Sequence, residues 1–121
     1  MGTVGIGVDV VDVARFRTVL SRRPSIAGRL FTEAEQHDAK GQPERLAARF
    51  AAKEAVLKSF GVGVGAAPWK SIEVQRSTSG APSIALHGEA AVLASTHGVT
   101  HLHVSLSHTD ETAVAFVVGS N

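Results

Sequence analysis

The chain has no cysteine, which excludes a disulfide framework and a thiolate site. It has no charge excess either. Twelve Lys and Arg against eleven Asp and Glu leave a formal net charge of +1, so there is no global electrostatic case for nucleic acid or for a membrane surface. No apolar run approaches the ~20 residues of a membrane span. The N-terminus lacks the basic-then-apolar order of a secretory signal. Met1-Gly2 suggests myristoylation, but Ile6 occupies the place that needs Ser or Thr. These absences lead us to expect a cytoplasmic protein with no membrane and no nucleic-acid partner. Internal repeats, linkers and low-complexity tracts are also missing. With 44% hydrophobic residues in 121 positions, the expectation is one globular domain over residues 1–121 with a modest core.

What is present is a regular alternation of element signals. Thr3 to Val11, rich in Val, Ile and Gly, predicts a strand. Asp12 is a plausible N-cap for a short helix with Val13, Phe16 and Leu20 on one face, limited by Pro24. Thr32 with Glu35 forms a capping-box pattern for a second helix ended by Gly41. Gln42-Pro43-Glu44 opens a long helix that Gly61 stops. Trp69 to Gln75 and Ser83 to Leu86 predict a hairpin around Ser77–Gly80. Glu89 to His97 predicts a helix, and His101–Ser107 and Thr112–Val118 two further strands around Asp110-Glu111. This order predicts an α+β fold with a mostly antiparallel sheet packed against one long helix.

The long helix holds the densest chemistry. On a wheel of about 100° per residue, Leu46, Phe50, Val56, Leu57 and Phe60 share one arc, with Glu54 at its edge and Lys58 one turn beyond. Lys53 falls inside the arc, where an unpaired ammonium is costly. Two readings stand side by side. In one, Lys53 snorkels to water and Glu54–Lys58 is an i,i+4 surface pair. In the other, these groups handle a phosphate-rich ligand through a metal ion. Asp9 ends the first strand and is either a second capping residue or a partner for Glu54. Two oxygen ligands of this kind suit Mg²⁺, which prefers one or two carboxylates plus water and substrate phosphates.

Other signals are weaker. Gly5-Ile6-Gly7 lacks the third glycine of a dinucleotide fingerprint. Gly61-Val62-Gly63-Val64-Gly65 follows a helix, so it is not a Walker loop. It is either a helix C-cap with a flexible tail, or a place where a ligand or neighbouring subunit approaches closely. His101 and His103 share a strand face but show no third zinc ligand. Five arginines (Arg15, Arg17, Arg22, Arg23, Arg29) against Asp12 make the segment from Val10 to Leu30 locally basic. Arg15 and Arg22, seven apart, share one helix face, which by composition alone is a solvated face.

Four segments in order resemble the holo-acyl-carrier-protein synthases: Gly5-Ile6-Gly7-Val8-Asp9 with Arg15; Arg49-Phe50-Ala51-Ala52-Lys53-Glu54-Ala55 with Lys58 and the following glycines; Trp69 to Val74 with Gly80-Ala81-Pro82; and His103-Val104-Ser105-Leu106-Ser107-His108. The likeness runs from about residue 3 to residue 118. It implies a 4′-phosphopantetheinyl transferase fold and activity. The phosphopantetheine arm of coenzyme A would pass to a serine of an apo acyl-carrier protein or carrier domain, releasing adenosine 3′,5′-bisphosphate, in fatty-acid or polyketide biosynthesis. It implies Mg²⁺ on Asp9 and Glu54, with Asp9, Glu54 and Lys58 as catalytic residues. Coenzyme contacts would come from Arg49, Lys53, Lys58, Gly61, Gly63, Pro82, Ser107 and His108. Arg15 would meet the acidic carrier, with Arg22 a softer candidate, and the assembly would be a homotrimer with sites between subunits. Three candidates stand as general base: Asp9 through a water, Glu54 and His108. The rival readings are a metal-dependent phosphoesterase acting on a nucleotide or coenzyme A, and a non-catalytic trimeric nucleotide-binding module.

Overall fold

The computed structural model describes residues 2–121. The order is β1 (Thr3–Asp12), α1 (Val13–Arg22), α2 (Ile26–Leu30), α3 (Glu33–Ala39), α4 (Pro43–Ser59), β2 (Ile72–Arg76), β3 (Pro82–Leu86), α5 (Gly88–Thr96), β4 (His101–His108) and β5 (Thr112–Ser120), with a 3-10 turn at Trp69–Ser71 before β2. The strands form two antiparallel sheets rather than one. The larger has the order β1-β5-β4, and β2 pairs only with β3. The expected strand from Trp69 begins instead at Ile72, because Pro68 leads into a tight turn closed by Ser71 N–H donating to Pro68 O. The segment after Pro24, for which the sequence predicts no element, holds the short α2.

The expected caps form. Asp12 accepts from the Arg15 amide at 2.9 Å. Thr32 and Glu35 exchange side chain-to-backbone hydrogen bonds at 3.2 and 3.0 Å in a full capping box. Helix α4 ends in a Schellman turn: Val62 N–H donates to Leu57 O and Gly61 N–H to Lys58 O, with Gly61 at φ 74°.

The wheel predicted one buried arc on α4, but burial runs almost all the way round. Leu46, Ala47, Ala48, Ala51, Ala52, Ala55, Val56 and Leu57 are all buried. The helix lies across the inner face of the β1-β5-β4 sheet, and α1, α3 and β2 cover its other side. Alanines permit this close packing from both sides. The tightest approach is to β1, where Gly5 and Gly7 face the helix. A Cβ on Gly7 would fall 1.9 Å from Ala55 O, and one on Gly5 2.0 Å from Ser59 O. These two glycines set β1 directly against α4, and Asp9 is the next residue on the same face of the strand.

Candidate active site

That contact brings Asp9 to the last turns of α4. Lys58 Nζ donates to Asp9 Oδ1 at 2.9 Å and to Val8 O at 3.0 Å. The Asp9 side chain is mostly covered and that of Lys58 half exposed. Glu54, one turn before Lys58, is half-buried. Burial pushes its carboxyl above the usual carboxylate range, the nearby Asp9 charge pushes the same way, and Lys58 opposes both. A carboxyl raised in this way beside a second acid, and open to a groove, is suited to receiving a cation. Glu54 also lines a shallow groove of about 430 Å³ with Val10, Phe16, Val19, Phe50 and Arg15. Stacked Phe16 and Phe50, with ring centroids 5.4 Å apart, form part of its wall.

A second site lies toward the start of α4. Arg45, Arg49, Arg76, Gly80, Pro82 and His108 line a pocket of about 240 Å³. Arg49 is almost wholly buried. Its Nη1 donates to Arg45 O at 3.3 Å, but Nε and Nη2 have no partner among the described residues. Burial and the neighbouring Arg76 push the Arg49 guanidinium below its ordinary pKa. A guanidinium is not deprotonated in a protein, so this strain expresses itself as demand for an anion. Three guanidinium groups beside an imidazole are suited to a phosphate group.

The family model for the 4′-phosphopantetheinyl transferase superfamily matches residues 5–117. The chain belongs to that superfamily. It is 50% identical over 121 residues to the holo-[acyl-carrier-protein] synthase of Frankia alni, covering 100% of both chains. Its fold matches the crystal structure of holo-[acyl-carrier-protein] synthase from Neisseria meningitidis with a TM-score of 0.89 at 29% identity, over 99% of this chain and 100% of the other. It matches the Helicobacter pylori synthase in complex with coenzyme A with a TM-score of 0.86 at 31% identity, over 95% and 99%.

Set on this superfamily fold, the expected site residues fall into two groups. Asp9, Glu54 and Lys58 lie together at one end of α4, near the turn carrying Gly61 and the exposed Gly63. Arg49, Pro82 and His108 lie together in the arginine pocket. Arg49 and Lys58 are nine positions apart, which is about 14 Å along the helix and about 180° around it. One chain therefore carries two separate clusters of candidate site residues on opposite sides of α4. His108 belongs to the second, away from the carboxylates. Arg15 and Arg22 are exposed on α1 and have no salt-bridge partner among the described residues.

Two expectations need correction. Lys53 does not face a ligand. It is fully buried, and its Nζ donates to Glu35 Oε1 at 2.7 Å, Trp69 O at 3.0 Å and Ile72 O at 2.5 Å. An ammonium has three donors, so none remains for a phosphate; nor does the side chain snorkel to water. Burial lowers its pKa, while Glu35 opposes that shift. Ser107 pairs with Val114 on the outer face of the sheet, whereas His108 pairs with Ala113 and turns to the inner face, so the two do not share this chain's pocket. The sequence reading also missed Arg45 and Arg76. Arg45 was detectable, since it stands one turn before Arg49 on the same helix. Arg76 carried no local signal, because only the hairpin fold brings it across from α4.

Proposed function

We propose that this chain transfers the 4′-phosphopantetheine arm of coenzyme A to a serine of an apo acyl-carrier protein. The observation that carries the reading is that Glu54, with Asp9 and Lys58 beside it, opens onto the same groove as Arg15. A carrier docked by its acidic surface on Arg15, with Arg22 further along α1, would deliver its serine to the carboxylates. The serine Oγ forms a bond to the β-phosphorus of the coenzyme. The bond from that phosphorus to the bridging oxygen breaks, and adenosine 3′,5′-bisphosphate leaves with the electron pair. Glu54, its carboxyl pushed up by burial and by Asp9, is placed at this groove to accept the hydroxyl proton. Lys58 places positive charge beside the pyrophosphate. Asp9 and Glu54 are suited to hold Mg²⁺, which would stabilise charge on phosphate oxygens. The arginine pocket suits the phosphate groups of the nucleotide end. The acceptor is a free carrier protein or a carrier domain of a fatty-acid or polyketide synthase, and the setting is the cytoplasm. No helix among the described residues is long and apolar enough to cross a membrane.

The separation of the two clusters supports a shared site. A second observation points the same way. Ile6, Val8 and Val10 on β1 and Phe116 on β5 project from the outer face of the sheet, with exposures of 59, 49, 62 and 46%. A contiguous apolar face of this kind is commonly covered by a partner. A second copy is the occupant that would also set one chain's carboxylates beside another's arginine pocket, and a cyclic trimer closes that arrangement. The test mixes two inactive variants, Asp9→Ala and His108→Ala, under conditions that exchange subunits. Sites built from two chains recover about a quarter of wild-type transfer in an equal mixture, since half of each component is intact independently. Self-contained sites recover none.

A further inference from the structure

The buried Lys53–Glu35 pair is absent from the reaction just described, yet it is the most enclosed ionic contact among the described residues: both side chains are 0% exposed. Its partners explain what it does. Strand β2 is bonded to β3 along one edge only. Its other edge leaves Ile72 O and Val74 N–H, two residues apart and therefore on the same side, without a neighbouring strand. Both are inside the protein, where an unpaired backbone group is costly. Glu35 Oε2 accepts from Val74 N–H at 3.0 Å, and Lys53 Nζ donates to Ile72 O. Glu35 Oε1 accepts from Lys53 and from Thr32 N–H, which ties the pair to the start of α3. Lys53 also reaches Trp69 O in the turn before β2.

We infer that the Lys53–Glu35 pair takes the place of a missing strand on the open edge of β2, and so positions the hairpin that carries one wall of the arginine pocket. Arg76 stands two residues after Val74 on β2, and Gly80 and Pro82 follow in the hairpin. The opposite wall, Arg45 and Arg49, is on the same helix as Lys53, with Arg49 one turn before it. The pair therefore fixes the distance between two sets of guanidinium groups that repel each other. Without it the hairpin is free to move off α4, and Arg76 with it. Lys53 and Glu35 are positioning residues for nucleotide binding and touch no substrate. This inference rests on the proposed function for the ligand, but not for the mechanics.

The experiment uses the full-length protein with Glu35→Gln, which keeps the shape and one acceptor, and Lys53→Met. Two readouts are taken on folded protein: amide hydrogen exchange across residues 72–82, and steady-state kinetics with titration of adenosine 3′,5′-bisphosphate. The positioning role predicts faster exchange at Val74 and through the hairpin in Glu35→Gln. It also predicts nucleotide affinity and KM for coenzyme A weakened by tenfold or more, with kcat at saturating coenzyme A within threefold of wild type. Unchanged hairpin exchange in folded Glu35→Gln overturns the inference, as does a loss confined to kcat. Should wild type bind no nucleotide while the hairpin still loosens in Glu35→Gln, the transferase reading fails and the mechanical role stands. Should Lys53→Met not fold, Glu35→Gln alone decides the matter. Should neither fold, the Val74 amide of the wild type is read instead: protection equal to the amides paired within the β2–β3 ladder supports the pair as a strand substitute, and exchange like that of an open edge refutes it.

Discussion

Replacement of Lys58 by alanine separates stability from chemistry in this site. In the folded chain Lys58 holds Asp9 Oδ1 at 2.9 Å and Val8 O at 3.0 Å with its side chain 52% exposed. An ion pair this exposed contributes only ~0.2–1 kcal/mol, so Lys58→Ala should lower Tm by roughly 1–4 °C in a chain of this size. A charge that meets a phosphate more strongly in the transition state than in the ground state acts on a different scale. Loss of one such group costs about 10²–10³ in kcat, or ~2.7–4 kcal/mol. Lys58→Arg keeps the charge and should restore part of the rate. Loss of Lys58 also removes the group that draws the Glu54 carboxyl down against burial and Asp9. The acid limb of the kcat/KM profile should therefore move to higher pH in Lys58→Ala. The assay is steady-state transfer from coenzyme A to an apo carrier across pH, paired with a thermal melt. If Lys58→Ala keeps kcat and KM within twofold of wild type while Tm falls slightly, Lys58 is a surface helix-to-strand pair and nothing more.

Glu54→Gln should abolish most transfer without loss of stability at neutral pH. The folded carboxyl is raised above its unfolded value, so the wild type is favoured at pH below the unfolded pKa and loses that contribution as pH rises through the folded pKa; denaturation midpoints of wild type and variant at pH 4 and pH 7 check the sign. Gly7→Ala should destabilise by at least ~1–3 kcal/mol in chemical denaturation, because its Cβ meets backbone at 1.9 Å and the strand must lift from α4; a variant of wild-type stability would show that the strand–helix contact is looser than described. Arg15→Glu should raise KM for the carrier far more than KM for coenzyme A, and wild-type carrier affinity should fall with added salt; salt-independent carrier binding would contradict docking on α1. Ile6→Asp with Phe116→Asp should yield monomers by sedimentation and lose transfer together with assembly.

Helices α1, α3 and α4 were legible because local chemistry decides them: Asp12 and Thr32 cap, Pro43 opens α4 and Gly61 closes it; the short α2, which has no side-chain cap, was not. The division into two sheets was not, since strand pairing is non-local and the alternating pattern of a strand does not name its neighbour. Burial around α4 misled the wheel. Alanine is small enough to be covered from any side, so the alanines that pack against β1 and β2 give no strong apolar stripe. Lys53 shows the same limit. Its position inside the arc falls on the buried face, but both readings sent its ammonium outward, because its partner Glu35 lies eighteen residues back on another helix, already assigned to a capping box. A carboxylate has two oxygens, and Glu35 uses both.

The central claim is group transfer, and intact-protein mass spectrometry of an apo acyl-carrier protein tests it directly. The carrier is incubated with coenzyme A, Mg²⁺ and this protein. The account predicts that the carrier gains the mass of one phosphopantetheinyl group on its serine, with adenosine 3′,5′-bisphosphate released in equal amount, and that a Ser→Ala carrier gains nothing. A carrier of unchanged mass, with coenzyme A either intact or cleaved to free phosphopantetheine, would contradict it.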